Sequence, residues 1–590
     1  MVTLSLVDNY WGRMVNVAFL PATIVFMLFI GHFSLTQLVC ALGPIDRMKT
    51  NSQFFSALAP ARAMTYPDIT IQMPVFKEGL EKVILPTIIS LEAAIAHYRK
   101  AGGFAKIFVN DDGLQLISDK ERADRIAFYR EHKIAYVARP PDSVKVRKGL
   151  FKKASNMNYS LFVSNSISLL MEDPEQGIGD PELALSMVQE AAEGEFLAGG
   201  DLTMGTIILL VDCNTRVPED CLTKVVAEFQ ECPELGFLQC RTTPLREGNN
   251  DYWMDMITHF TENIYDIGIG LSASSGDPAP LLGHNAFLRW EAMKAIAWQE
   301  DGMTKFWSES HVSENFDMSL RLQTQGYIGR YATYTGADFQ ESVSLTCADE
   351  VIRLRKYTYG ACEILLNKFK DWPCRGPITK LFWRYLWARC IPWPSKLQMV
   401  GYLGTYLAMA YSIVGICVHV ILRMFYSVLQ EDVTNTYDVF ITVVFVFGVI
   451  GIFGAGTIRY RLGFDKNMSI FKAYWMEISS APTMTLFWSH ILWHITTACW
   501  CYFWDIPIVW EATAKETTTT TTFSEEFRGT LVRYRGMYIT LTLLYGVFAL
   551  GMVCTGQDWL DLRLSLPLTF YVAAHFLGPI LLDPVLVKSY

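Results

Sequence analysis

Short runs of carboxylates and amides mark the places where this chain could do chemistry. Asn110-Asp-Asp-Gly113 closes an apolar run with Asp111 and Asp112, which would accept hydrogen bonds from ribose hydroxyls or uracil. Asp212-Cys-Asn214 closes another. At i and i+2 on an extended chain, Asp212 and Asn214 aim at one side, and hard oxygen donors there suit Mg²⁺ or Mn²⁺ on a diphosphate. The basic stretch from Lys145 to Lys153 offers counter-charge to phosphates. From Trp307 to Leu322, WSESHVSENFDMSLRL reads as an acidic loop leading into a helix. Glu314 and Asp317, three apart, would share one face at the helix's positive end. Any one of these segments also suits a helix cap or a solvated turn. Their order along one strand–helix pattern is what joins them into a site for a sugar nucleotide.

The elements that must position them alternate. Ile69–Phe76 reads as a buried strand, Gly79–Lys100 as a helix, Lys106–Gly113 as a strand and Ser118–Glu131 as a helix. Ile134–Pro140, a helix from Gly149, and the strand Thr206–Asn214 continue the series. This alternation predicts a doubly wound α/β sheet, whose ligands bind beyond the carboxyl ends of the strands. The acidic insert at 166–202 reads as a surface helical excursion without assigned chemistry.

Around this polar block the composition changes. Hydrophobic residues make up 51% of the 590, concentrated in charge-free windows at Arg13–Asp46, Leu397–Leu422, Val439–Ile458, Gly536–Gln557 and Leu564–Leu582. Each is about 19 residues or longer, enough to cross a hydrocarbon layer. The expectation is an integral membrane protein of the plasma membrane, with an α-helical bundle in the lipid bilayer. Arg47, Lys49, Arg459 and Arg461 place the polar domain in the cytosol and the N-terminus outside. Lys380–Lys396, with Trp383, Trp387 and Trp393 among cations, suits a helix in the headgroup layer, and Ile478–Trp504 an interfacial or re-entrant helix. The threonine run 517–522 reads as a flexible loop. A net charge of −9 without a basic stripe argues against nucleic acid, and 13 scattered cysteines without a CxxC pair suggest reduced thiols. The expected layout is a transmembrane helix in 1–50, the α/β domain in 60–365, and interface helices in 366–396. Two transmembrane helices follow in 397–458, the interfacial segment and a loop in 465–535, and two more transmembrane helices in 536–590.

With these segments in place, the chain resembles the membrane-embedded family 2 glycosyltransferases, which include cellulose, chitin and hyaluronan synthases. Within them it is most similar to the fungal capsular or hyaluronan-type branch. The resemblance runs from MPVFKE, containing Glu78, to the last helices. It implies a cytosolic GT-A-like α/β domain and roles for individual residues. NDDG resembles the uridine-binding strand end (Asp112), and KASNMN resembles KAGNLN, placing Lys153 near the nucleotide. GHNAFLR resembles the segment beside the acceptor sugar, implying acceptor contacts for His284, Asn285 and Arg289. SENFD resembles TED-x-D, whose TED aspartate serves as the catalytic base. RLRKY stands where the family has QxxRW, with Arg353 and Lys356 toward the nucleotide and Tyr357 in the tryptophan position. WEATAK resembles the FxVTxK gating loop, with Trp510, Thr513 and Lys515 over the nucleotide.

Three departures qualify the resemblance. Asn214 replaces a metal-binding carboxylate, RLRKY keeps only cationic and aromatic character at its last two positions, and Asn315 stands where the base is expected. An amide takes no proton near neutral pH, and losing a general base costs about 10²–10⁴-fold in rate. Asp317 is the nearest substitute, although two positions along a helix it points roughly 160–200° away. Asn315→Asp is therefore expected to raise transfer by roughly 10²-fold. The reading is processive, inverting transfer from a UDP-sugar to a growing β-linked polysaccharide, coupled to its export, with Mg²⁺ or Mn²⁺ as cofactor. The alternatives are a non-processive glycolipid glycosyltransferase, or an impaired pseudoenzyme because of Asn214 and Asn315.

Overall fold

A computed structural model describes residues 20–60, 63–141, 153–173, 178–246, 251–334, 338–425, 444–463, 468–508, 522–555 and 562–588, with isolated positions outside these ranges. Nine strands form the main sheet: β1 (Phe55–Ser56), β2 (Ile69–Val75), β3 (Ala105–Asp111), β4 (Ala135–Ala138), β5 (Leu197–Gly199), β6 (Ile207–Leu210), β7 (Leu235–Cys240), β8 (Ala286–Arg289) and β9 (Ile328–Ala332). Their order across the sheet is β1-β9-β7-β8-β6-β2-β3-β4-β5. β2 pairs parallel to both β3 and β6. Ile69, Ile71 and Met73 of β2, and Ile207 to Leu210 of β6, are all buried, as central strands covered on both faces require.

Helices cover the two faces. On one lie α1 (Leu85–Lys100) and α2 (Asp119–Glu131), the latter capped by Ser118 and Glu121 in a capping box. On the other lies α3 (Lys153–Glu172), whose Ala154, Met157 and Leu161 pack with Ile208 and Leu210. The insert builds α4 (Pro181–Ala191) and then contributes β5, which pairs antiparallel to β4 at the sheet edge. The sheet is thus not purely doubly wound. β8 runs antiparallel between β6 and β7, deep inside it. Strand–helix alternation in sequence gives no sign of this, because β8 follows the helical stretch 252–274 rather than a strand.

Beyond the sheet come α5 (Tyr252–Asn263), α6 (Glu314–Thr324), α7 (Cys347–Leu365), α8 (Lys380–Trp387) and α9 (Trp393–Phe425). The last helices are α10 (Ile452–Leu462), α11 (Ile470–Phe503), α12 (Arg535–Thr555) and α13 (Leu562–Leu581). Among the described residues, two stretches, Trp393–Gly415 and Arg535–Cys554, are long and apolar enough to cross a membrane. Five such windows were expected from sequence. The first window is a 23-residue helix, Leu20–Leu42, and the last a shorter apolar helix, Leu566–Leu581. The third is broken into a π-helical turn at Val446–Gly451 followed by α10. The segment expected to be interfacial or re-entrant is one continuous helix of 34 residues, about 50 Å long at 1.5 Å per residue. Trp383, Trp387 and Trp393, at the α8–α9 junction, are each half exposed or more.

Candidate active site

Three parallel strands, β2, β3 and β6, end on one edge of the sheet, and the segments after them carry Glu78, Asp112 and Asp212. Because β8 is antiparallel, its first residue, Ala286, lies opposite Leu210 at that same edge. Gly283, His284 and Asn285 therefore reach the carboxyl ends of their neighbours from the other direction. Arg289 pairs with Ile207 at the far end of the strand, about 10 Å from Ala286 at ~3.4 Å per residue. There it donates to the carbonyls of Leu235, Phe229 and Cys232 at 2.8–3.1 Å. Arg289 fastens the far end of the sheet and is not part of this cluster.

Lys153 opens α3 and joins the pieces. Its ammonium donates to Asp212 Oδ1 at 2.8 Å and to the Gly283 carbonyl at 3.1 Å. Burial works against its charge, but Asp212, Glu314 and Glu341 outweigh that and hold its pKa above the ordinary lysine value. The rest of KASNMN ties α3 down. Asn156 donates to the Asn110 carbonyl at 2.8 Å. Asn158 accepts from the Phe306 and Trp307 N–H groups and donates to the Trp307 carbonyl, fixing the loop before SENFD. As an element of the site, Asn158 escaped the sequence reading; its place in the motif was the available signal.

The paired aspartates of NDDG divide their work. Asp111 is fully buried and accepts from Arg125 at 3.0 Å and from Tyr129 at 2.7 Å, so it braces α2 against β3. Burial pushes its pKa up, and Arg125 and Tyr129 offset that only in part. Asp112 receives both Nε and Nη2 of Arg139, at 2.5 and 2.9 Å. Glu78 accepts from the Phe76 N–H at 2.7 Å. Asn214 Oδ1 is buried without a hydrogen-bond partner, a donor-free oxygen beside the Asp212 turn.

SENFD begins α6. A glycine is needed opposite it: Gly283 has φ +86°, and a Cβ there would fall 2.1 Å from Asn315 Nδ2. Asn315 Nδ2 donates to the Leu282 carbonyl at 3.2 Å, while its Oδ1 is buried without a partner. Asp317 is held by Arg321 Nε at 2.6 Å and His311 Nδ1 at 3.3 Å. Burial would raise its pKa, but His311 and Arg321 hold it below the ordinary aspartate value. Such a carboxylate is committed to structure. Glu314 is buried, and its pKa is pushed up by burial, partly opposed by Lys153. α7 bolts this corner: Glu363 accepts from the Val312 N–H at 2.6 Å, and Gly360 lies so close that a Cβ would meet Ser313 Oγ at 1.9 Å.

The corner opens into a cavity of about 1370 Å³ lined by Lys153, His284, Glu314 and Asn315, and by residues of α5, α7, α9, α11 and α13. Arg353, Lys356 and Tyr357 line it too, so RLRKY faces it from α7. Arg353 donates to Glu350 at 2.9 Å and lies 5.9 Å from the Tyr357 ring centre. His284 Nδ1 lies 2.6 Å from Glu341 Oε2; burial lowers the imidazole pKa, but Glu341 more than restores it and holds it above the ordinary value. Sequence reasoning missed Glu341, which lies on the small-sheet strand Phe339–Ser342. Asn285, at φ +52°, is fully buried and donates to Thr242 at 3.0 Å, so it shapes the turn and does not face the cavity. Lys145 to Lys152, Trp510, Thr513 and Lys515 lie outside the described residues.

Residues 207–429 match the family model "Glycosyl transferase family group 2". That segment is similar to the family 2 glycosyltransferases. The matched segment starts at β6 and includes Asp212, Asn214, His284, SENFD and RLRKY. Among solved structures, the chain is similar to the mannosyltransferase PcManGT from Pyrobaculum calidifontis in complex with GDP-Man and Mn²⁺. That match has 12% identity and a TM-score of 0.38, and covers 82% of this chain and 99% of that one. It is also similar to mannosyl-3-phosphoglycerate synthase from Rubrobacter xylanophilus, at 12% identity and a TM-score of 0.26, over 49% of this chain and 71% of that one. A search of curated proteins gave no match.

Proposed function

We propose that this glycosyltransferase moves a sugar, with inversion, from a UDP-sugar held at the strand ends to a growing β-linked polysaccharide lying in the cavity. The observation that carries this reading is the continuity of the Lys153–Glu314 corner with a cavity walled by helices. Its lining combines aromatic faces (Tyr402, Tyr406, Trp488) with hydroxyls (Thr405, Ser412, Ser489). Ring faces pack on the C–H faces of a pyranose, and hydroxyls exchange hydrogen bonds with it as it slides.

Donor binding falls to Asp112, Lys153 and Asp212. The Lys153 ammonium stabilises the diphosphate as negative charge develops on it. Asp212 and the partnerless amide oxygen of Asn214 fit a divalent ion when diphosphate oxygens complete the set, since among the described residues no three protein ligands converge. Such an ion would add charge neutralisation at the leaving group. One carboxylate, already paired with Lys153, and one neutral amide make the site weak. Export through the helices, across the plasma membrane from a cytosolic domain, completes the proposal.

Apolar stretches of the same lining (Ile264, Ile267, Leu281, Met484) favour a second reading, transfer of one or two sugars to a lipid acceptor. A screen of UDP-sugars with detergent-solubilised protein, reading UDP release and product length, tests both. Long products with one donor are expected. Lipid products with one or two sugars would replace the polymer reading, and absence of UDP release with every donor would overturn the proposal.

A further inference from the structure

Among the described residues, five carboxylates line the cavity: Asp277, Glu314, Glu341, Glu350 and Glu477. Four are engaged by side chains. Asp277 accepts from Ser272 at 2.8 Å, and Glu341 lies 2.6 Å from His284. Glu350 accepts from Arg353 and Ser344, and Glu477 meets His259 and Arg459. Among the described residues, Glu314 meets no side chain as a hydrogen-bond or ion-pair partner; its carboxylate is balanced by its own backbone N–H and the nearby charge of Lys153. Asp317 points instead to Arg321 and His311, and Asn315 is an amide. The general base of the transfer is then sought among groups at the cavity mouth that can accept a proton.

We infer that the Glu314 carboxylate takes the proton of the acceptor hydroxyl, doing the work that an amide at position 315 cannot do. This rests on the sugar-transfer reading above. The acceptor oxygen forms its bond to the anomeric carbon as the bond from that carbon to the diphosphate breaks, the electron pair leaving with the nucleoside diphosphate. The hydroxyl proton passes to Glu314, which later releases it to water. Burial raises the Glu314 pKa toward the range in which a carboxylate is an effective base. The charged groups around it are Lys153 from α3, Asp212 beyond β6, Glu363 from α7 and Asp317 on its own helix. Lys153 favours the ionised form and the three carboxylates oppose it.

The test compares the full-length protein with Glu314→Gln and Glu314→Ala in detergent, using the best donor from the screen. Glu314→Gln is expected to lower transfer at least about 10²-fold, with UDP affinity by calorimetry unchanged within about twofold. The acid limb of the wild-type rate profile should disappear with it. Added formate should restore part of the Glu314→Ala rate while leaving the wild type unaffected, which a structural role would not produce. Transfer retained within about threefold in Glu314→Gln overturns the inference and leaves the transfer reading standing. Joint loss of UDP affinity and transfer, without formate rescue, overturns it as well. A wild type that transfers no sugar from any donor overturns both.

Discussion

At position 315 an amide N–H₂ faces a carbonyl. Asn315 donates to Leu282 at 3.2 Å, in a turn whose Gly283 leaves no room for a larger side chain. An aspartate there would set a carboxylate oxygen against the Leu282 carbonyl. Asn315→Asp is therefore expected to cost about 1–2 kcal/mol in stability, from the lost hydrogen bond and an unsatisfied acceptor. Because Glu314 is already in place, no gain in transfer is expected. Thermal unfolding alongside UDP release measures both; a rate increase of about 10²-fold would instead return the base to position 315. The two asparagines differ in consequence. On the proposed reading, Asn214 leaves Lys153 as the main counter-charge to the diphosphate, whereas Asn315 leaves the proton-accepting task to Glu314.

α6 is the element on which the corner turns, and its first turn is held by charge. His311 has its pKa raised: burial lowers it, but the Asp317 hydrogen bond and charge prevail. A raised histidine pKa contributes stability that is complete below the unfolded value, near 6.5, and is lost as pH rises through the folded one. The depressed Asp317 pKa contributes above the unfolded value, near 3.9, and is lost as pH falls through its folded one. The pair is thus strongest on the acid side of neutrality, between those limits. Melting temperature should fall between pH 6 and pH 9 in the wild type and fall less in His311→Asn, where the titrating group is gone. Equal slopes for the two proteins would remove His311 from the account. α7 adds a steric clamp, since Gly360 lets it approach Ser313 more closely than any other residue would.

For the molecule as a whole, the sheet edge and the helices share one space. Lys153, Tyr402, Ser412 and Ser489 line one cavity, so on the polymer reading a product leaving the site passes α9 and α11. Ser412→Trp places an indole in that path, far from Lys153 in sequence and on a different element. Donor affinity should stay within about twofold, while product length by size-exclusion chromatography should fall severalfold. Unchanged product length would argue for an exit elsewhere. The buried network of His259, Asn263, Glu477 and Arg459 fastens α5 to α10 and α11 beside this cavity and fixes its wall.

Much of this was written in local pattern. The strands ending in NDDG and DCN, the Ser118 cap and the helix from Glu314 follow from runs of apolar residues and from residue types whose hydrogen bonding is short-range. What sequence could not decide were the matters set by partners far along the chain. GHNAFLR reads as one motif, yet an antiparallel strand sends His284 to the site and Arg289 to the opposite edge, because strand direction depends on neighbours in the sheet. Asp111 and Asp112 look alike in sequence and part company only because Arg125 and Arg139 arrive from different elements. The choice among Glu314, Asn315 and Asp317 followed the same rule. Spacing put all three on one helix, but only the packed fold gave Asp317 two cations and left Glu314 on the cavity lining without a side-chain partner among the described residues. Local sequence fixes which groups are available, and burial with long-range pairing decides which of them are free to react.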